Sequence, residues 1–207
     1  MPSPSDATRE LRAAAEANLR KHLLQMARVP DGEWEVVRAQ LSLRVLERGQ
    51  CLARMGEVSH EYGWVITGIM RRFSLSAEGA EVVRGFVEPG GFVGSYRSML
   101  AGLPSSQTID ALECSHLLVG DYGEFVKLYD RHPCWQELGR KLAEQLFLVR
   151  DQRESELLTL TATERYERFL RDHASLVGRI PQHQIASYLG VTPVSLSRLI
   201  ARRRRGR

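Results

Sequence analysis

Cysteine is scarce in this chain and poorly spaced for chemistry. The 207 residues hold three, Cys51, Cys114 and Cys134. No CxxC pair exists, so zinc and iron–sulfur centres have no ligand spacing to use. An odd, scattered set reads as reduced thiols. No run of 18 apolar residues occurs, which leaves nothing to span a membrane. Residues 1–10, MPSPSDATRE, lack the apolar core of a secretory signal. A cytoplasmic protein without a membrane partner is the expectation. The six histidines, His22, His60, His116, His132, His173 and His183, include no His-x-His pair. No acid–base or nucleophile set is assembled either, so the expectation is a non-enzyme without cofactor or metal. The sharpest absence is local. From His173 to Arg207 there are seven Arg and no Asp or Glu. That segment is +7, and the chain total of +4 leaves −3 for the first 172 residues. A basic block beside a mildly acidic body points to a polyanionic partner.

Within that block lies IPQHQIASYLGVTPVSLSR, Ile180 to Arg198, which reads as two short helices around a tight turn. Pro181 suits a first helical turn, and Ile185, Ala186 and Leu189 supply an apolar face. Gly190 can take the positive φ that ends the first helix. Thr192 is placed as an N-cap and Pro193 at the first position of the second helix. Leu196, Leu199 and Ile200 form a buried stripe. Val194, Arg198, Ala201 and Arg205 lie opposite, with Ser195, Ser197 and Arg202 alongside. One face packs and the other presents guanidinium and hydroxyl groups, the layout of a DNA-reading helix-turn-helix. An ordinary αα-hairpin with a basic outer face is the plainer alternative.

Upstream, residues 1–10 read as a flexible tail, followed by helical patterns over Arg9–Ala27 and Glu33–Gln40. Between Leu41 and Gly120 short β-rich runs are separated by glycines: LSLRVL, WVITGIMRRFSL, EVVRGFV, TIDAL and HLLVG. Such spacing predicts an all-β roll or barrel rather than alternating βα units, with SAEGAE at 76–81 as a hairpin turn. Tyr122–Asp130 returns to helix, and a long helix follows from about Cys134 to Leu158. Trp135, Leu138, Leu142, Leu146 and Val149 lie along one side of it near a 3.5-residue repeat, a seam suited to pairing two subunits. Arg140, Lys141, Arg150 and Arg153 alternate with acids elsewhere and read as a solvated surface. Thr159–Thr163 reads as a hinge, with Thr163 capping a helix over Glu164–His173. The fold class is α+β. It comprises a sensor roll with flanking helices over 11–130, a dimerisation helix and hinge over 131–160, and a small all-α helix-turn-helix domain over 161–207.

The order of these pieces resembles the CRP/FNR family of bacterial transcription regulators. Three stretches carry the likeness: the roll from LERGQ to QTIDALECSHLLVGD, the long helix after HPCW, and QIASYLGVTPVSLSR. The ending resembles a shorter branch without strands after the recognition helix. The resemblance implies a cyclic-nucleotide-binding-type β-roll, a homodimer on a palindromic site, and DNA contacts from Thr192, Val194, Ser195, Ser197, Arg198, Arg202 and Arg205. In members that bind cyclic AMP, a Glu after the glycine holds the ribose and an Arg holds the cyclic phosphate. Here Gly94 is followed by Ser95, and the later run is Ser105-Ser106-Gln107. A buried phosphate without a cation carries a large desolvation cost. The roll is therefore not expected to bind cyclic AMP in the usual way, although Arg97 lies close in sequence. Gly94, Ser95, Arg97, Ser105 and Ser106 are the candidate effector pocket. Haem would need a ligand such as His60, His116 or Cys114, none of which stands in a family motif. The expected partners are double-stranded DNA, a second copy, RNA polymerase and an unidentified small-molecule effector. Two rival readings are a sensor acting only through protein contacts and a cupin-like metalloenzyme.

Overall fold

The structure is a computed structural model that describes residues 4–205, with side chains described from Asp6 to Arg203. Two compact units emerge, one from residues 1–74 with 86–143 and the other from 75–85 with 144–207.

The first unit is the expected roll with its helices. Helix α1 spans Pro4–Met26 and α2 spans Asp31–Gln40. The eight strands are β1 Ser42–Leu46, β2 Cys51–Ala53, β3 Glu61–Thr67, β4 Met70–Leu75, β5 Glu81–Val87, β6 Phe92–Gly94, β7 Thr108–Ala111 and β8 Ser115–Asp121. They form two antiparallel four-stranded sheets, β1-β8-β3-β6 and β2-β7-β4-β5. A short α3, Tyr96–Ala101, follows β6, and α4, Tyr122–Lys127, follows β8.

Side-chain alternation along a strand explains why two cores result. On β8, Leu117 and Val119 face Leu52, Val65, Met70 and Ile109 in the core between the sheets. Leu118, one residue out of phase, joins Trp64 in a second core on the outer face. Helix α1 closes that face with Ala15, Leu19, Leu23 and Met26, spaced three to four apart, and α2 adds Trp34 and Val37. Beneath the helices Glu16 is buried, with Nε of Arg12 at 2.7 Å and Nε of Arg38 at 2.6 Å. Burial alone would raise its carboxyl, but the two guanidinium groups hold it below its ordinary value. On β4, Arg71 pairs with Asp110 of β7 through two hydrogen bonds of 3.0 and 2.7 Å, and the pair is more than nine-tenths buried. At the β3–β4 turn, Gly68 has φ +89°, and a Cβ there would lie 2.6 Å from Ser115 Cα, so no side chain fits.

Four expectations are corrected here. Helix α1 begins at Pro4, inside the stretch read as a flexible tail; Pro is well tolerated in a first turn, and Asp6 is 3.6 Å from Arg9 one turn on. Residues 1–3 lie outside the described residues. The long helix α5 runs Pro133–Thr159, but Trp135 and Leu138 are 0 % and 1 % exposed within the outer core of their own subunit, and Leu142 packs against it. Trp135 and Leu138 are therefore not available to a second chain. Trp135 also donates its indole N–H to Glu33 at 2.9 Å. The helix after α5, α6, spans Ala162–Asp172, and its N-cap is Thr161, not Thr163. Thr161 and Glu164 form a reciprocal capping box, which satisfies two orphan backbone N–H groups. Arg153, expected on a solvated surface, has a side chain only 19 % exposed.

The second unit contains the β4–β5 turn with most of β5, the C-terminal part of α5, α6, α7 (Gln182–Leu189) and α8 (Pro193–Arg205). Its buried side chains are Phe169, Leu176, Ile180, Ile185, Ala186, Leu189 and Leu196. The segment read as a hinge is tied down. Arg165 donates from Nη1 to Leu160 O at 2.5 Å and from Nε to Leu189 O at 2.9 Å, joining the α5–α6 link to the end of α7. The chain passes from one compact unit to the other inside α5, between residues 143 and 144.

Candidate nucleic-acid interface

The turn between α7 and α8 is set by local chemistry. Gly190 ends α7 with φ 68° and ψ 36°, a left-handed conformation open to Gly at little cost. Val191 N–H then bonds to Ala186 O at 3.0 Å, and Leu196 N–H to Thr192 O at 3.0 Å. Thr192 Oγ1 accepts from Ser195 N–H at 3.1 Å and lies 2.9 Å from Ser195 Oγ. The cap satisfies an otherwise orphaned donor and fixes where α8 starts.

Burial sets the rotation of α8 about its axis. Leu196 is 0 % exposed, and Leu199 and Ile200 are half-buried. Val194 is 61 % exposed, and Ser195, Ser197, Arg198, Ala201, Arg202 and Arg203 are exposed as well. Val194, Arg198 and Arg202 recur every four residues, so they share one side of the helix. With Thr192 and Ser195 at its start, that side carries two hydroxyls, a branched apolar group and two guanidiniums. Neither Arg198 nor Arg202 forms an ion pair with the described residues. The side chain of Arg205 lies outside the described residues, although its backbone closes α8.

The helices behind this face are braced by groups the sequence did not single out. The Arg153 guanidinium lies 4.0 Å from the centre of the Tyr188 ring and donates to Tyr188 O. Glu156 accepts from Arg168 at 3.0 Å. Ser187 of α7 donates to Glu81 O at 3.1 Å and accepts from Val83 N–H at 2.9 Å. None of these contacts joins neighbours in sequence, and no periodicity marks them.

The five candidate effector residues differ in burial. Gly94, Ser95 and Ser105 are buried, whereas Arg97 and Ser106 are exposed. Ser95 Oγ lies 3.0 Å from Ser98 Oγ, and Ser105 Oγ donates to Gln107 O at 2.6 Å. The side chain nearest in sequence to a phosphate-binding cation, Arg97, is thus on the surface. Among the described residues no three His, Cys, Asp or Glu side chains converge as a metal site, and no helix is long and apolar enough to cross a membrane.

The architecture is thus a two-sheet β-roll and a capped helix pair with a basic outer face. Residues 43–132 match the family of the cyclic nucleotide-binding domain. No curated protein matches the chain by sequence. Among solved structures, FixK2 from Bradyrhizobium japonicum is 19% identical with a TM-score of 0.68, over 78% of this chain and 83% of that one. The c-di-GMP responsive global regulator CLP of Xanthomonas campestris is 19% identical with a TM-score of 0.67, over 86% and 93%. The catabolite activator protein of Thermus thermophilus is 21% identical with a TM-score of 0.54, over 84% and 83%. A further solved structure, 16% identical with a TM-score of 0.67 over 83% of this chain and 82% of that one, is a putative transcriptional regulator of the CRP/FNR family from Eubacterium rectale. The chain has the fold of these structures, as its sequence led us to expect.

Proposed function

We propose that the chain is a homodimeric, sequence-specific DNA-binding transcription regulator whose α8 reads bases in the major groove. The observation that carries this is the outward, unpaired Val194–Arg198–Arg202 side of a helix whose Leu196 is fully buried. A guanidinium can bond guanine O6 and N7 together, so Arg198 is the base reader, with Ser197 beside it. Val194 has no acceptor for a cytosine amine but fits a thymine methyl. Thr192, Ser195, Arg202 and Arg205 hold phosphates, which makes affinity fall steeply with salt.

Dimerisation uses the part of α5 that its own subunit leaves uncovered. Phe147 and Leu158 are 68 % and 78 % exposed and eleven residues apart, about three helical turns. Leu148 and Val149 are exposed too and Leu146 is half-buried, so at 100° per residue this turn of α5 is apolar all round. Exposed apolar surface of this kind favours self-association, and two copies would set their α8 helices in successive grooves about 34–36 Å apart. The roll serves as a sensor that does not take cyclic AMP in the usual way, because Ser95 and Ser105 supply no charge and Arg97 faces solvent. Selection of bound sequences from random DNA tests the whole reading. An inverted repeat with a guanine fixed in each half-site supports it; recovery of no common motif refutes it. Calorimetric binding of cyclic AMP at low micromolar concentration would overturn the statement about the roll.

A further inference from the structure

We infer that Ser187 is a latch that holds the helix-turn-helix in a DNA-competent setting by docking α7 on the open edge of strand β5. In its sheet β5 is the outer strand, and an edge strand presents backbone groups that have no partner within the sheet. Two of those groups, Glu81 O and Val83 N–H, converge on one hydroxyl, which donates to the first and accepts from the second. A hydroxyl can do both at once because it carries one proton and two lone pairs. The contact joins residues more than 100 positions apart in sequence. Residues 75–85 and the C-terminal helices belong to one compact unit.

The latch leaves the reading face open. Ser187 sits on α7, and with its two bonds made Val194, Ser197, Arg198 and Arg202 of α8 are all exposed. The contact therefore restrains the helix pair without covering what would meet DNA, and restraint of a binding element lowers the ordering cost of binding. The turn that ends in Glu81 is itself firm: Ser76 N–H bonds to Ala80 O at 2.8 Å and Gly79 N–H to Ser76 O at 3.0 Å.

The inference rests on the DNA-binding reading for its consequence but not for its existence, and two readouts on the full-length protein separate them. Amide hydrogen exchange at Val83 reports the latch. In Ser187→Ala this amide loses its acceptor and should exchange about fivefold faster or more, the equivalent of one net hydrogen bond. Ser187→Thr retains the hydroxyl and should exchange like the wild type. Affinity for the selected DNA site reports the consequence: Ser187→Ala should bind about fivefold more weakly, and Ser187→Thr should restore binding. Val83→Pro removes the donor from the other side, at an edge position where proline is tolerated. It should weaken binding similarly, with no further loss when combined with Ser187→Ala. Unchanged Val83 exchange in Ser187→Ala, or DNA binding as tight as or tighter than wild type, overturns the inference. If the wild type bound no DNA, the functional reading would fail while the Val83 exchange still decided whether the latch exists.

Discussion

Leu196 and Val194 are two residues apart on α8 and should answer oppositely to the same truncation. Leu196 is 0 % exposed and Val194 is 61 % exposed. Leu196→Ala deletes fully buried carbon and leaves a cavity in a small helical core that includes Phe169, Ile185 and Leu189. Such deletions cost about 2–5 kcal/mol. For a unit of this size each kcal/mol lowers the melting temperature by about 4–8 °C, so even the low end predicts a fall near 10 °C in the transition of the C-terminal unit. Val194→Ala removes carbon that is already in water and should stay within about 0.5 kcal/mol of wild type. Thermal unfolding followed by circular dichroism, with urea melts on the same variants, measures both. Equal destabilisation by the two changes would mean that α8 is rotated from the orientation described, and with it the outward arginine face would be lost.

Other perturbations follow from the same structure. Phe147→Asp puts a charge into the uncovered strip of α5 and should give a monomer by sedimentation with little change in stability, whereas Trp135→Ala should destabilise the first unit by about 3–5 kcal/mol, because Trp135 is fully buried there. Asp110→Ala strands the buried Arg71 guanidinium and should cost about 3–5 kcal/mol in urea unfolding, while the exposed pair Lys127–Glu124 can be broken with a change below about 1 kcal/mol. Gly190→Ala meets Leu157 Cδ2 at an ordinary 3.5 Å, but its positive φ should still cost about 1 kcal/mol in the C-terminal transition. The carboxyls of Glu16 and Glu33 are held below their ordinary value when folded, Glu33 by its bond from the Trp135 indole more than by Arg131. Their contribution is therefore complete above about pH 4.5 and lost as pH falls through the lowered folded values; acid titration of Glu16→Gln should show a shallower loss of stability below about pH 4.5.

Much of this could be read from the sequence because the signals are local. Gly190, Thr192 and Pro193 each announce their backbone role within one turn of chain, and the alternation of Leu117, Leu118 and Val119 marks a strand with two buried faces. The side of α5 that faces its own core was not legible. Trp135, Leu138 and Leu142 recur at three to four residues, and that spacing is the same whether the partner is the helix's own roll or a second helix; only burial tells them apart. The capping position is legible in the spacing of Thr161 and Glu164, three residues apart, which is the capping-box spacing that Thr163 lacks. The start of α1 was hidden by Pro and Ser, which resemble a tail but suit a first helical turn. Ser187 left no mark at all, because its partners are backbone atoms of Glu81 and Val83 and so impose no side-chain pattern on the hairpin.

The account turns on whether the arginine side of α8 lies against bases, and Arg198→Ala tests that most directly. Affinity should be measured by fluorescence anisotropy on the selected site and on random duplex at one fixed salt concentration. The prediction is a loss of about 1–3 kcal/mol on the selected site with relaxed preference at one base pair, and a much smaller loss on random DNA. Equal losses on both would reduce Arg198 to a phosphate contact, and no loss on either would place that side of the helix away from the duplex.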